Sequence, residues 1–192
     1  MGQNDFIDTT LLDKAIIFAT KAHKNTERRG KGFPYIVHPL EVVSIVSTMT
    51  SDQELLAAAA LHDTVEDTGV TIETLKVEFG DNVAKIVDFE SDKVYENLSE
   101  SESWKMRKIY AIERLAVAPK EVKIVALGDK LSNMRAIYRD YLAIGNEVWN
   151  KFHIKDPKEH EWHYRALADS LKELNETLAY KEFAQLIEKV FN

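Results

Sequence analysis

Leu61-His62-Asp63-Thr64-Val65-Glu66-Asp67 is the stretch whose reading decides the fold. His62 and Asp63 are adjacent, and Glu66 and Asp67 follow them at a spacing of four. On a helix, residues four apart stack on one face, so an imidazole and three carboxylates are predicted to share one strip. Carboxylates this crowded repel one another unless a cation or a proton compensates them. The run Ala57-Ala58-Ala59-Ala60-Leu61 just before is apolar and helix-favouring, which places the acids at the end of a core helix. An acidic strip on a buried helix is what a hydrolytic site for a hard metal needs.

Outward from this strip the helical period continues in both directions. Residues 10–24 carry Leu11, Leu12, Ala15, Ile16, Phe18, Ala19 and Ala22, one face of a helix. A polar loop with Arg28, Arg29 and Lys31 follows, then a second helix with Pro39 suited to its first position. Ser51 or Asp52 caps the third helix, predicted to run unbroken into the acidic strip and to stop at Thr68-Gly69. Thr71 caps a helix ending at Gly80, and Asp81 or Asn82 opens the next. The charged stretch 90–103 reads as a mobile loop. Helices are predicted over 104–118, from Pro119 to a break at Gly145, over 157–178 and over 181–190, with a short turn at 147–152. The β-branched runs near Val42 and Val122 also fit the helical period, so the expectation is a single all-α helical bundle over residues 1–192, with 145–192 as its C-terminal helices.

Composition narrows the class. A chain of 192 residues builds one well-buried domain, and 45% hydrophobic with 30% charged residues is ordinary for a soluble globular protein. There is no cysteine, which excludes disulfides, thiolate zinc sites and a cysteine nucleophile and fits a reducing cytoplasm. The N-terminus shows no basic segment followed by an apolar one, and no apolar run approaches the roughly 18 residues that span a bilayer. A net charge of −7 argues against a nucleic-acid partner. A small anionic substrate stays open to it, since that needs only a local cluster of Arg and Lys beside a metal ion.

Two residues elsewhere are candidates to complete a metal site. His38 stands at a helix start, and Asp129 lies inside the apolar segment Val125-Ala126-Leu127-Gly128-Asp129-Lys130-Leu131. A carboxylate there is expensive to bury unless paired or ligated. Two imidazoles and two carboxylates suit Mn²⁺, Fe²⁺ or Zn²⁺ better than Ca²⁺, which prefers oxygen ligands throughout. Four protein ligands leave an octahedral ion open positions for water and substrate, the arrangement that activates water and polarises a phosphoryl oxygen.

Three segments carry a family resemblance: Pro34-Tyr35-Ile36-Val37-His38-Pro39, Ala58-Ala59-Ala60-Leu61-His62-Asp63-Thr64-Val65-Glu66-Asp67-Thr68 and Leu127-Gly128-Asp129-Lys130-Leu131-Ser132-Asn133-Met134-Arg135. From about Leu11 to Tyr138 the chain resembles the HD-domain metal-dependent phosphohydrolases, and among them the RelA/SpoT-type and small stand-alone alarmone hydrolases. That resemblance implies an HD-domain helical fold and a Mn²⁺ ion held by His38, His62, Asp63 and Asp129. It assigns Glu66 and Asp67 to the attacking water, a role that suits carboxylates beside a metal site. It places Asn133, one turn after Asp129, near a ribose, and Arg29 against a nucleotide base, with Arg28 and Lys31 as substitutes. Lys93, Lys105, Arg107 and Lys108 are candidates to meet a pyrophosphate. Trp162, Tyr164 and Arg165 are candidates to close over a base.

Two positions depart from the family pattern: Gly128 where alanine is common, and Ser132 where His or Tyr is usual. The expected activity is removal of the 3′-pyrophosphate from guanosine tetra- or pentaphosphate, giving GDP or GTP and pyrophosphate. A phosphohydrolase acting on another nucleotide, such as the 2′-phosphate of NADPH, keeps the same site. A binding module that senses the alarmone without hydrolysing it is the rival of a different class.

Overall fold

Small side chains decide which helices lie in the middle. The structure, a computed structural model, describes residues 7–28, 30–91 and 99–192, and of Glu100 only the backbone. In chain order the helices are α1 (Thr10–Ala22), α2 (Val37–Val46), α3 (Gln53–Leu61), α4 (Thr64–Asp67), α5 (Ile72–Phe79), α6 (Asp81–Glu90), α7 (Glu100–Ala116), α8 (Lys120–Ile144), α9 (Pro157–Ser170) and α10 (Leu178–Phe191). Turns of 3-10 helix span Gly145–Lys151 and Lys172–Leu174. Among the described residues no strand forms beyond one isolated bridge, Glu27 to Pro34, which pinches the loop before α2. The expected all-α fold is the one observed.

In α3 every residue from Leu55 to Leu61 is buried. Its four alanines make a slim helix, and α1, α2, α6 and α8 all pack on it. The second axis is α8, buried on all sides from Val122 to Asp129 and packed on α2, α3, α6 and α10. Gly128 sets how closely α2 and α8 meet. A Cβ there would stand 2.7 Å from Val46 Cγ2 and 3.1 Å from Val42 Cγ1, closer than packed atoms tolerate. His38 near the start of α2 is thereby brought to Asp129, the residue after Gly128.

Four helix boundaries differ from expectation. The third helix does not run through the acidic strip: α3 ends at Leu61, His62 and Asp63 form a turn, and α4 is a separate short helix. Side chains take two carbonyls of the last turn, His62 Nδ1 bonding Ala59 O at 2.9 Å and Thr64 Oγ1 bonding Leu61 O at 2.7 Å. Such local bonds compete with continuation of the helix. Pro39 occupies the third helical position rather than the first, still within the turn whose N–H groups have no intrahelical partner. Residues 100–103, read as mobile loop, form the first turn of α7, where Ser99 and Glu102 make a reciprocal capping box; residues 92–98 of that stretch lie outside the described residues. The helix predicted over 157–178 stops at Ser170, and α10 starts afresh where Thr177 Oγ1 accepts from Tyr180 N at 3.1 Å. None of the described helices is long and apolar enough to cross a membrane.

Candidate metal centre and substrate cleft

His38, His62 and Asp129 each bring a donor atom to a common point, and Asp63 Oδ2 lies against both imidazoles. His38 Nε2 lies 3.1 Å from Asp129 Oδ1 and 3.4 Å from Asp63 Oδ2. His62 Nε2 lies 3.0 Å from Asp63 Oδ2 and 3.7 Å from Asp129 Oδ1. Adjacent ligands of an octahedral ion with bonds of about 2.1 Å stand about 3 Å apart, so these spacings suit a transition-metal ion. His38, His62 and Asp129, all buried, are also the one group of three or more such side chains among the described residues able to hold an ion. The donor set, two imidazole nitrogens and two carboxylates, fits a divalent cation.

The outer nitrogens fix the rings. His62 Nδ1 donates to Ala59 O, so that in the neutral ring the lone pair is on Nε2, the atom facing Asp63 and Asp129. His38 Nδ1 is 2.9 Å from Ser132 Oγ. Burial alone would raise the pKa values of Asp63 and Asp129, but His62 and His38 beside both, and Lys130 beside Asp129, hold them well below the usual carboxylate range. Burial opposes charge on His62, yet Asp63 and Asp129 outweigh it and push its pKa well above the ordinary imidazole value. Where only protons neutralise the acids, one sits on His62; a cation takes that proton's place, because ligation needs the neutral ring.

Around this core Lys130, Asn133 and Tyr35 donate to the two aspartates. Lys130 Nζ meets Asp129 Oδ2 at 2.6 Å and the buried Glu90 at 3.2 Å. Burial raises the pKa of Glu90, and Asp129 and Glu90 hold Lys130 well above its usual value despite its own burial. Asn133 Nδ2 donates to Asp129 Oδ1 at 2.6 Å, and Tyr35 Oη donates to Asp63 Oδ2 at 2.7 Å. Arg28 joins the two sides, donating to Tyr35 Oη at 3.1 Å and to Asn133 Oδ1.

The cluster opens into a chamber of 280 Å³ whose walls include Glu66, Glu90, Trp104, Lys108 and His163. Beside it lies a groove of 620 Å³ with Lys31, Asp67, Lys151 and Ile154 on its walls. Arg28, Tyr35, Trp104, Asn133, Phe152 and Tyr164 line both, so the two form one cleft with the His/Asp cluster on the chamber wall.

The structure therefore separates the predicted residues. Glu66 faces the chamber and Asp67 the groove, so the acid pair divides between the two compartments. Asn133 and Lys108 line the cleft. Lys105 does not: it pairs with Glu159 and lies 3.5 Å over the Trp162 ring, tying α7 to α9. Arg107 lines neither compartment. Arg29 and Lys93 lie outside the described residues; Arg28, named as a substitute, is the arginine the structure places in the cleft. Of the aromatic candidates Tyr164 lines it, whereas Arg165 pairs with Glu161 and Glu188. Tyr35 and Lys130 were missed although each lies inside a quoted motif. Glu90, Trp104, Phe152 and His163 carry no local signal, since only the packing of α6, α7, α9 and the 3-10 turn before Phe152 brings them here.

The HD domain profile matches residues 15–152, well over half of the chain. A probable GTP pyrophosphokinase of Mycobacterium leprae is 40% identical over 130 residues, covering 67% of this chain but 16% of that protein. The chain thus spans about a sixth of such long relatives. Guanosine-3′,5′-bis(diphosphate) 3′-pyrophosphohydrolase MESH1 of Danio rerio is 37% identical over 134 residues, covering 68% of this chain and 71% of that one. The Xenopus tropicalis protein of the same name is 38% identical over 135 residues, covering 69% and 72%. Among solved structures, a metazoan ortholog of SpoT superposes with a TM-score of 0.78 over 96% of this chain and 97% of its own, at 22% identity, a likeness of fold. A protein of Listeria monocytogenes EGD-e superposes with a TM-score of 0.71 at 28% identity, over 84% of this chain and 100% of its own. By profile and by these relatives together, the chain belongs to the HD domain family, the family it shares with the MESH1 proteins.

Proposed function

We propose that the chain is a cytoplasmic hydrolase that removes the 3′-pyrophosphate from guanosine tetra- or pentaphosphate. His38, His62, Asp63 and Asp129 would hold a divalent cation, Mn²⁺ on this reading, with Fe²⁺ or Zn²⁺ as alternatives. The observation that carries the proposal is the convergence of His38, His62 and Asp129, with Asp63 against both imidazoles, on the wall of a cleft that also carries Arg28, Lys108 and Asn133. The relation to proteins named as 3′-pyrophosphohydrolases supports the substrate.

When bound, the cation supplies Lewis acidity to the phosphoryl group and lowers the pKa of water. Glu66, exposed on the chamber wall, is placed to take a proton from the attacking water. The water oxygen bonds the phosphorus carried on O3′, the O3′–P bond breaks, and O3′ takes a proton. Asp67, on the groove side, borders the nucleoside. Lys108 offers positive charge to the departing pyrophosphate, while Lys130 stays committed to Asp129 and Glu90. The Arg28 guanidinium and the Asn133 amide stand where chamber meets groove, suited to hold ribose and base. Trp104, Phe152 and Tyr164 give the groove apolar walls.

Product analysis tests this. With Mn²⁺ and guanosine tetraphosphate the chain should release GDP and pyrophosphate in equal amounts, and chelation should abolish turnover. Release of inorganic phosphate from NADPH, with guanosine tetraphosphate untouched, would move the substrate. Tight nucleotide binding with no turnover would make the chain a sensor instead.

A further inference from the structure

The ligand side of His38 is half of that ring; the other half enters a relay that is buried at Ser132 and half-buried at Glu41. His38 Nδ1 lies 2.9 Å from Ser132 Oγ, and Ser132, 1% exposed, stands one turn beyond Gly128 on α8. The same hydroxyl lies 2.8 Å from Glu41 Oε2, back on α2. Arg135 approaches the other Glu41 oxygen at 3.4 Å, and Glu182 of α10 holds Arg135 with two bonds of 2.7 Å.

Proton counting gives this chain a direction. A carboxylate only accepts, and a serine hydroxyl has one proton to give. Ser132 therefore donates to Glu41, and its oxygen accepts from His38 Nδ1–H. In the neutral ring that ligation needs, this leaves the lone pair on His38 Nε2, facing Asp63 and Asp129. The two imidazoles thus differ in how they are held. His62 is oriented by a backbone carbonyl, which side-chain substitution leaves in place. His38 is oriented by side chains alone.

We propose that Ser132 and Glu41 are positioning residues of the metal centre, a Glu–Ser–His relay that selects the His38 tautomer and aims its Nε2 at the cation. The inference rests on the metal reading of the site and not on the identity of the substrate. Groups that orient a ligating histidine commonly carry 10–100-fold in metal affinity, roughly the effect expected here.

The test is Mn²⁺ affinity of the purified full chain, measured by competition with a chromogenic chelator. S132A should bind Mn²⁺ about 10–100-fold more weakly than wild type. S132T, which keeps the hydroxyl, should stay close to wild type. E41Q, whose amide oxygen still accepts from Ser132 but without charge, should fall between them. S132A binding as tightly as wild type would overturn the relay, as would equal losses in S132A and S132T, which would mark a packing effect. Wild type that fails to bind Mn²⁺ would overturn the metal reading and the relay with it. Tight Mn²⁺ binding without hydrolysis of guanosine tetraphosphate would overturn the substrate alone.

Discussion

Single residues set the geometry of the cluster, and Gly128 does so by lacking a side chain. Val46 and Val42, which a Cβ there would strike, are β-branched and stiff at χ1, so relief must come from moving α2 away from α8. G128A should lose about 1–3 kcal/mol to overpacking, offset by up to about 1 kcal/mol of helix propensity. Urea unfolding measures the balance, and a G128A protein more stable than wild type would contradict it. Tyr35 acts through a bond rather than a gap. Y35F removes the 2.7 Å bond to Asp63 and the acceptor of Arg28, and should weaken Mn²⁺ binding by about tenfold or more while leaving the fold intact. Unchanged affinity would show Asp63 to be held without it. In the sequence Gly128 reads as a small loss of helix propensity and Ser132 as a changed pocket wall. Their purpose depends on what α2 places opposite them, which no pattern within α8 contains.

Elements were legible where a side chain caps its own helix. Asp52 and Thr71, picked out as caps, accept from Glu54 N and Thr74 N. Boundaries failed where the apolar period outlasts the helix. Leu167, Leu171, Leu174 and Leu178 keep a helical spacing across the end of α9, yet the chain turns there and Thr177 caps α10 instead. T177A should cost about 1 kcal/mol of stability, with T177D near wild type. A T177A protein melting with wild type would show that packing alone starts α10. The break between α3 and α4 has the same origin: His62 and Thr64 spend their side chains on carbonyls of the preceding turn. That break divides the acidic strip, with His62 and Asp63 at the cluster and Glu66 and Asp67 on the cleft walls.

On the scale of the whole molecule, buried histidines make the fold sensitive to acid. Burial lowers the pKa values of His23, His160 and His163, the last helped by Lys108 and Lys130. In the unfolded chain each takes a proton below about pH 6.5, so the unfolded state binds more protons and stability falls as pH drops below that value. Each contributes a slope of up to about 1.4 kcal/mol per pH unit until its folded pKa is reached. His62 and Glu90, whose pKa values are raised, have the opposite sign; the contribution of His62 changes only above about pH 6.5, and Glu90 is one group against three. Urea midpoints of the metal-free protein should therefore fall from about pH 7 to pH 5; a flat profile would contradict the burial of these rings. The helical class and the cluster's four residue types were readable from the chain because both follow local spacing and residue chemistry. The C-terminal contribution was not: His163 and Tyr164 reach the cleft through the docking of α9 on α7, and Phe152 from the end of the 3-10 turn after α8, placements that their own sequence does not encode. The central claim is that one divalent cation sits among His38, His62, Asp63 and Asp129. An anomalous difference map from a crystal grown with Mn²⁺ tests it most directly. The account predicts one peak within about 2.3 Å of His38 Nε2, His62 Nε2 and an oxygen of each aspartate; a peak elsewhere, or one that omits either histidine, would contradict it.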